Sequence, residues 1–181
     1  MQAKSFSLNI NHKIKPFIKS IKVDSDKSLS IRSFLIGSIC EDISIAKNVL
    51  ESEDVFSTIN CLKKLGVQIK KESESYFIHG KGLGSLFAKK KLNLNFGNSG
   101  TLARLLIGIL STTPDIEIKI QGDRSLNKRS MKKLIEIMSE FGAEFLPKNK
   151  FNFPLKLIST EMPVCIKYKA GVSAQLKSAV I

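Results

Sequence analysis

The sequence predicts an α/β fold, or α+β in some classification schemes, that is assembled from repeated units of roughly 73 residues. A helix closed by glycine and followed by a strand occurs at Gly66 and again at Gly142. A second marker, a small residue four positions ahead of a basic one and then apolar residues at helical spacing, occurs three times: Ser28 and Arg32, Gly100 and Arg104, Ser173 and Lys177. Because both markers recur at nearly one period, a repeat explains them better than chance similarity between amphipathic helices.

The first unit is predicted to begin with a helix over residues 28–40, where apolar residues recur at helical spacing. Its second helix, over 54–65, ends ahead of Gly66, which is typical of a helix C-terminus. The predicted strands of this unit are 43–49, 67–71 and 76–79.

The second unit is predicted to follow the same order. Strand 92–96 leads into helix 99–110, and a second helix, 127–141, ends ahead of Gly142. The remaining predicted strands are 116–120, 144–146 and 155–158. A third unit is predicted to begin with strand 164–169, and its helix has barely started at Ile181. Since this apolar helical pattern has no cap, we expect the intact protein to be longer.

Charge and composition limit the function classes. Lys and Arg number 29 against 16 Asp and Glu, and the net charge of +13 predicts anionic partners: phosphorylated metabolites, nucleic acid or an anionic membrane. The 43% of hydrophobic residues is enough for a core and excludes a disordered tail. The apolar runs are too short to span a bilayer, and the N-terminus lacks the apolar block of a signal peptide, so we expect a cytoplasmic protein.

Cysteine and histidine are too few and too scattered for the common reactive sites. Cys40, Cys61 and Cys165 form no C-x-x-C pair, and the two histidines are His12 and His79. The sequence therefore predicts no metal site and a reducing compartment. It shows no Ser/His/Asp triad, no Cys/His pair and no G-x-x-x-x-G-K-[ST] phosphate loop.

The three repeated loop-to-helix junctions are candidate anion sites. A helix N-terminus presents unpaired backbone N–H groups and the positive end of the macrodipole, which suit a phosphate or a carboxylate. At Gly97-Asn-Ser-Gly-Thr101, the glycine at 100 would let an anion approach the backbone, and Arg104 lies one turn further on. Ordinary helix capping explains any one junction, but the threefold repetition favours anion binding. The basic loop 122–129 enters another predicted helix.

Four motifs follow one another along the chain: Asp26-Lys-Ser28-x-x-x-Arg32, Gly97-Asn-Ser-Gly-Thr101, Gly122-Asp-x-Ser-Leu-x-x-Arg129 and Ser173-Ala-Gln175. In their order and spacing they resemble the EPSP synthase (3-phosphoshikimate 1-carboxyvinyltransferase) family over nearly the whole chain. Segment 50–54 is similar to the family as well.

The resemblance implies a fold and a division of the chain. The family has two lobes, each of three βαβαββ units about a pseudo-threefold axis. Residues 1–23 would be a strand segment of the other lobe, and 24–181 the substrate-binding lobe, with units 24–90, 91–163 and a partial unit 164–181.

The resemblance also implies an activity. The enolpyruvyl group of phosphoenolpyruvate moves to the 5-hydroxyl of shikimate 3-phosphate and phosphate leaves, through a tetrahedral intermediate and without metal or organic cofactor. This is the shikimate pathway of aromatic amino-acid biosynthesis, in an enzyme expected to be a monomer when full length, without nucleic-acid or membrane partners. The family's acidic catalytic pair lies in a later half that these 181 residues do not contain, so we expect them to be inactive alone.

Site residues carry over by motif. Lys27 would contact both substrates near the transferring proton, and Gln175 would lie between them. Gly100, through its backbone N–H, and Arg129 would bind phosphoenolpyruvate. Shikimate 3-phosphate would be held by Ser28, Arg32, Ser173 and, through its backbone, Ala174.

Two alternatives stay open at this point. One is the related enolpyruvyl transferase that acts on UDP-N-acetylglucosamine, although its Lys-Asn motif near position 27 and a reactive-cysteine loop are missing. The other is a basic nucleic-acid-binding module, which the net charge permits. The small number of aromatic residues, with two Tyr and no Trp, speaks against it.

Overall fold

The computed structural model describes residues 23–89, 91–169 and 171–181, together with the isolated positions 7, 9, 11, 13, 16, 18, 20 and 21. The strand segment predicted over 1–23 lies, apart from these positions, outside the described residues. In the described part, the chain forms five α-helices and two sheets.

The first unit contains the predicted elements in the predicted order. They are α1 (Lys27–Ile39), β1 (Ile43–Lys47), α2 (Glu53–Lys64), β2 (Gln68–Glu72) and β3 (Ser75–His79). The strands form an antiparallel sheet of order β1-β3-β2. Gly66 has a φ of +87°, which only glycine adopts without strain, and it ends α2 as the sequence predicts.

The second unit repeats this arrangement. It contains β4 (Asn93–Asn95), α3 (Gly100–Ser111), β5 (Glu117–Gln121), α4 (Lys132–Glu140), β6 (Glu144–Leu146) and β7 (Leu155–Ile158). Its sheet has the order β4-β5-β7-β6, in which β4 is parallel to β5 and the other pairs are antiparallel. Since β5-β7-β6 matches β1-β3-β2, the predicted repeat is confirmed at the level of topology.

The helix predicted over 127–141 is wrong in its first part. The chain instead forms a 3₁₀ helix, Leu126–Lys128, and α4 starts only at Lys132. Between them Arg129 is extended, with φ −76° and ψ 135°. The backbone N–H of Met131 donates to the carbonyl of Phe151 over 2.7 Å, so a tertiary partner replaces a helical hydrogen bond here.

The strand predicted over 164–169 is also wrong. These described residues belong to neither sheet, and the N–H of Val164 donates to the carbonyl of Phe141 rather than to a strand. The third unit is represented by α5 (Ala174–Val180). An alternating pattern forms a strand only where a neighbouring strand accepts its backbone hydrogen bonds, and the described residues offer none at this place.

Helices α3 and α5 approach each other unusually closely. A β-carbon on Gly108 of α3 would overlap the carbonyl oxygen of Ala179 and lie 2.9 Å from its Cα. The surrounding residues of α3, among them Leu105, Leu106 and Ile107, are buried in the core. Glycine at this position therefore allows α5 to pack closely against α3.

Candidate functional site

Three helices of the chain begin in the same way. Asp26, Ser99 and Ser173 precede α1, α3 and α5, and each side chain accepts a hydrogen bond from the N–H three residues further on: Leu29 (2.6 Å), Leu102 (3.2 Å) and Leu176 (3.3 Å). The first helical residues are therefore Lys27, Gly100 and Ala174. Gly100 is the predicted position, whereas Lys27 and Ala174 each lie one residue from the predicted Ser28 and Ser173, because the capping residue, not the following cation, determines where a helix starts.

The start of α3 lies beside two guanidinium groups. A β-carbon on Gly100 would lie 2.8 Å from Nη1 of Arg104 and 3.4 Å from Nη1 of Arg129. Burial, and second the charge of Arg129, lowers the pKa of Arg104. Among the described residues, no carboxylate pairs with either arginine. Two like charges at the positive end of a helix therefore offer a place for an anion.

Gln175 connects α5 to this group. Its Nε2 donates to Thr101 Oγ1, and its Oε1 accepts from Arg104 Nη1, each over 3.0 Å. Arg104 also donates to the carbonyl of Gly100 over 3.0 Å. The predicted residue Ser173 lines a cleft of about 420 Å³ with Gln175, Arg104 and the start of α4.

Arg129 reaches the same place from the basic loop. Its Nη2 donates to Asn98 Oδ1 over 2.7 Å, and its side chain is otherwise exposed. The extended backbone at Arg129, which replaces the predicted helix, lets the side chain turn toward the Gly97–Thr101 junction. The structure therefore brings together Gly100, Arg129 and Gln175, and their binding roles stay predictions.

The predicted residues of α1 form a second group. Lys27 Nζ pairs with Asp54 Oδ2 of α2 over 2.9 Å, and Arg32 Nη1 donates to Ser178 Oγ of α5 over 2.7 Å. Ser28 is half-buried in the first turn of α1. Helix α5 connects the two groups, through Gln175 to α3 and through Ser178 to α1.

Several residues of the site do not appear among the predicted site residues. Arg104 stands out in the sequence as a repeated cation, and Asn98 and Thr101 belong to the Gly97–Thr101 motif, so a signal existed for these three. The pairing of Asp54 with Lys27 gives no such signal, because it depends on how α2 packs against α1.

The cysteines lie outside these two groups of residues. Burial raises the pKa of the Cys61 thiol to about 12, and its Sγ lies 3.4 Å from the carbonyl oxygen of Asn95. Cys61 is thus a protonated core residue, while Cys165 is exposed and outside both sheets. The described residues contain no cluster of three or more His, Cys, Asp or Glu side chains placed for a metal ion, and none of their helices is long and apolar enough to cross a membrane.

Comparison with known proteins gives one consistent result. The family model for EPSP synthase (3-phosphoshikimate 1-carboxyvinyltransferase) matches residues 11–181. Similar curated proteins named 3-phosphoshikimate 1-carboxyvinyltransferase include those of Caldicellulosiruptor saccharolyticus, 43% identical over 89% of this chain and 37% of the relative, and Syntrophomonas wolfei, 36% identical over 95% and 40%.

A solved structure of EPSP synthase from Acinetobacter baumannii superposes with a TM-score of 0.80 and 33% identity, over 88% of this chain and 36% of that one. The chain thus spans about 40% of the length of the curated relatives it matches. With its duplicated sheets, its capped helix starts and a family match over nearly its whole length, the chain belongs to the EPSP synthase family.

Proposed function

We propose that the protein of which these residues form a lobe transfers the enolpyruvyl group of phosphoenolpyruvate to the 5-hydroxyl of shikimate 3-phosphate and releases phosphate. The hydroxyl adds to the double bond to give a tetrahedral intermediate, and phosphate is then eliminated. The observation that carries this proposal is the pair of guanidinium groups, Arg104 and Arg129, beside the start of α3. Family membership and the names of the relatives support it.

The proposed binding roles follow the two groups of residues. Phosphoenolpyruvate is held by Arg129 and by the backbone N–H of Gly100, and Gln175 lies between the two substrates. Shikimate 3-phosphate is held by Ser28 and Arg32 on one side and by Ser173 and the N–H of Ala174 on the other. Lys27 contacts both substrates near the transferring proton, with Asp54 holding its ammonium group.

Electrostatics explain why such a site suits this reaction. Two substrates with several negative charges must lie side by side, and cations and helix N-termini lower the cost of bringing them together. Burial, and second the charge of Arg129, lowers the pKa of Arg104, and among the described residues no carboxylate pairs with either guanidinium group, so the two groups repel each other. A bound anion removes that repulsion, which supports substrate binding over a purely structural role. No organic cofactor enters this proposal, and a cytoplasmic monomer stays a prediction.

The proposal is tested by isothermal titration of the 181-residue chain with shikimate 3-phosphate. We expect saturable binding that UDP-N-acetylglucosamine does not compete for. Competition by the nucleotide sugar would instead favour the related enolpyruvyl transferase. Binding of nucleic acid that weakens steeply between two salt concentrations, without binding of shikimate 3-phosphate, would contradict the proposal and favour a nucleic-acid-binding module.

A further inference from the structure

Residues 48–54 comprise the segment between β1 and α2 and the first two residues of α2; we call them the β1–α2 connection. They contact the start of α1 at three places. Ser25 Oγ donates to Asn48 Oδ1 over 3.0 Å, and the N–H of Leu50 donates to Ser30 Oγ over 3.0 Å. At the end of the connection Asp54 makes the ion pair with Lys27. The connection therefore packs against the start of α1, where Lys27 lies.

The middle of the connection is attached to the sheet instead. Glu51 Oε1 accepts from the hydroxyl of Tyr76 over 2.7 Å and pairs with Lys71 Nζ over 2.5 Å. Tyr76 is 5% exposed, and its ring packs edge-on against Phe34 of α1 at 5.2 Å between centroids. The hydrogen bonds from Lys71 and then Tyr76 lower the pKa of Glu51, so its carboxylate is charged at neutral pH.

The N-terminus of α2 has no side-chain cap of its own. Ser52 occupies the N-cap position but makes no capping hydrogen bond, and its buried Oγ has no hydrogen-bond partner among the described residues. The position of Asp54, in the first turn of α2, therefore depends on the contacts of the connection rather than on a cap.

From these contacts we infer that Glu51 is a positioning residue: its carboxylate, held by Tyr76 and Lys71, fixes the β1–α2 connection and thereby the Asp54 carboxylate that holds the Lys27 ammonium group. The binding role of Lys27 in this inference rests on the proposed function, whereas the position of its ammonium group does not. A lysine side chain has many rotamers, and Lys27 is half exposed, so the placement of its charge depends on its ion pair with Asp54.

The experiment observes Lys27 directly. In the 181-residue chain labelled with ¹³C-lysine, the ε-methylene signals of Lys27 are compared in the unsubstituted chain and in Asp54→Asn, Glu51→Gln, Tyr76→Phe and Glu117→Gln variants. Asp54→Asn gives the signal position of an unpaired Lys27. Glu117→Gln is the matched control, because it removes an exposed glutamate–lysine pair, Glu117–Lys156, from the other sheet.

We expect Glu51→Gln and Tyr76→Phe to move the Lys27 signals at least halfway to their Asp54→Asn position, and Glu117→Gln to leave them in place. Unchanged Lys27 signals in a folded Glu51→Gln or Tyr76→Phe variant would overturn the inference. Should circular dichroism show that Glu51→Gln does not fold, Tyr76→Phe decides, because it keeps the Glu51–Lys71 pair.

A second readout separates this inference from the proposed function. We expect both variants to weaken the binding of shikimate 3-phosphate about fivefold, and Glu117→Gln to leave it unchanged. If the unsubstituted chain binds no shikimate 3-phosphate, the proposed function fails while the Lys27 signals still decide the inference. If it binds and the Lys27 signals do not move in the variants, the inference fails and the proposed function stands.

Discussion

Gly100 has no β-carbon, and this leaves space beside its Cα for the side chains of Arg104 and Arg129. The position is the first residue of α3, where the backbone N–H groups are unpaired, and the Arg104 guanidinium occupies the space beside its Cα. Any side chain here competes with that guanidinium and with an approaching anion for the same volume.

We therefore expect Gly100→Ala to raise the KM for phosphoenolpyruvate in the intact protein about tenfold, or about 1.4 kcal/mol of binding free energy. The added methyl displaces Arg104 and narrows access to the helix start. Gly171→Ala is the control, because a β-carbon there meets no atom within 4 Å. Steady-state kinetics with varied phosphoenolpyruvate measures the effect, and an unchanged KM would contradict the role of Gly100.

Removal of a whole charge has a larger expected effect. In the intact protein, Lys27→Ala and Arg129→Ala should each lower kcat/KM by a factor equivalent to about 2–4 kcal/mol, because in the proposed site each charge binds a substrate anion. Arg124→Ala, in the same basic loop as Arg129, serves as the control and should retain activity. Near-normal turnover in either test variant would remove that residue from the proposed site.

The sequence motifs place Gly100, Arg129 and Gln175 at helix starts or in a loop, and the structure shows these three residues around the start of α3. Their binding roles stay predictions, and the motifs said less about which neighbour each side chain contacts. The partner of Lys27 was not predicted. A side chain with four rotatable bonds reaches many neighbours, and which one is available depends on the packing of α2.

At the scale of elements, hydrophobic periodicity predicted the helices whose ranges follow from their local sequence. It predicted wrongly the segments whose structure depends on a hydrogen bond to another part of the chain. Helices α1, α2 and α3 match their predicted ranges within one residue at each end. The helix predicted over 127–141 is interrupted because Met131 bonds to Phe151, which lies on a distant part of the chain. Residues 164–169 have the composition of a strand, but no strand formed by the described residues lies beside them.

The contact between α3 and α5 supplies a test at this scale. Gly108→Ala should loosen α5, since the new methyl overlaps the backbone of Ala179 and no side-chain rotation relieves it. We expect a loss of about 1–3 kcal/mol in the stability of α5, despite the higher helix propensity of alanine.

Hydrogen exchange measures this effect on the amides of residues 174–180. Faster exchange there, with little change at α1 and α2, is the expected result. Gly171→Ala again serves as the control. Unchanged protection of α5 would show that the two helices do not depend on this close approach.

For the whole molecule, the single buried tyrosine predicts a pH dependence of stability. Burial, together with the hydrogen bond and the charge of Glu51, raises the pKa of Tyr76 from 10.0 to about 12. Between these values the folded chain keeps the tyrosine proton and the unfolded chain loses it, so the unfolding free energy should fall as the pH rises.

Denaturant unfolding across this pH interval is the measurement. The decline should be shallower in Tyr76→Phe, whereas Tyr168→Phe, which changes the other tyrosine of the chain, should leave the Tyr76 contribution intact. Equal slopes in Tyr76→Phe and the unsubstituted chain would mean that Tyr76 does not hold its proton more tightly in the folded state.

The length of the chain bears on whether it catalyses the proposed reaction alone. The 181 residues span about 40% of the length of their relatives, so we expect no phosphate release when the chain alone is given both substrates. A coupled phosphate assay measures this. Saturable release that depends on shikimate 3-phosphate would show that this lobe is competent by itself.

The matching order of β1-β3-β2 and β5-β7-β6 has an evolutionary consequence. A unit that brings its own sheet and a capped helix start is a module that gene duplication copies whole, and each copy adds backbone donors for an anion whatever its side chains are. Lys27, Gly100 and Ala174 are the first residues of three helices that begin with the same side-chain cap, and they differ in what they present there: a cation, an open backbone and a small side chain. Duplication of such a helix start supplies backbone donors in one event, and point substitution afterwards changes the side chains around them.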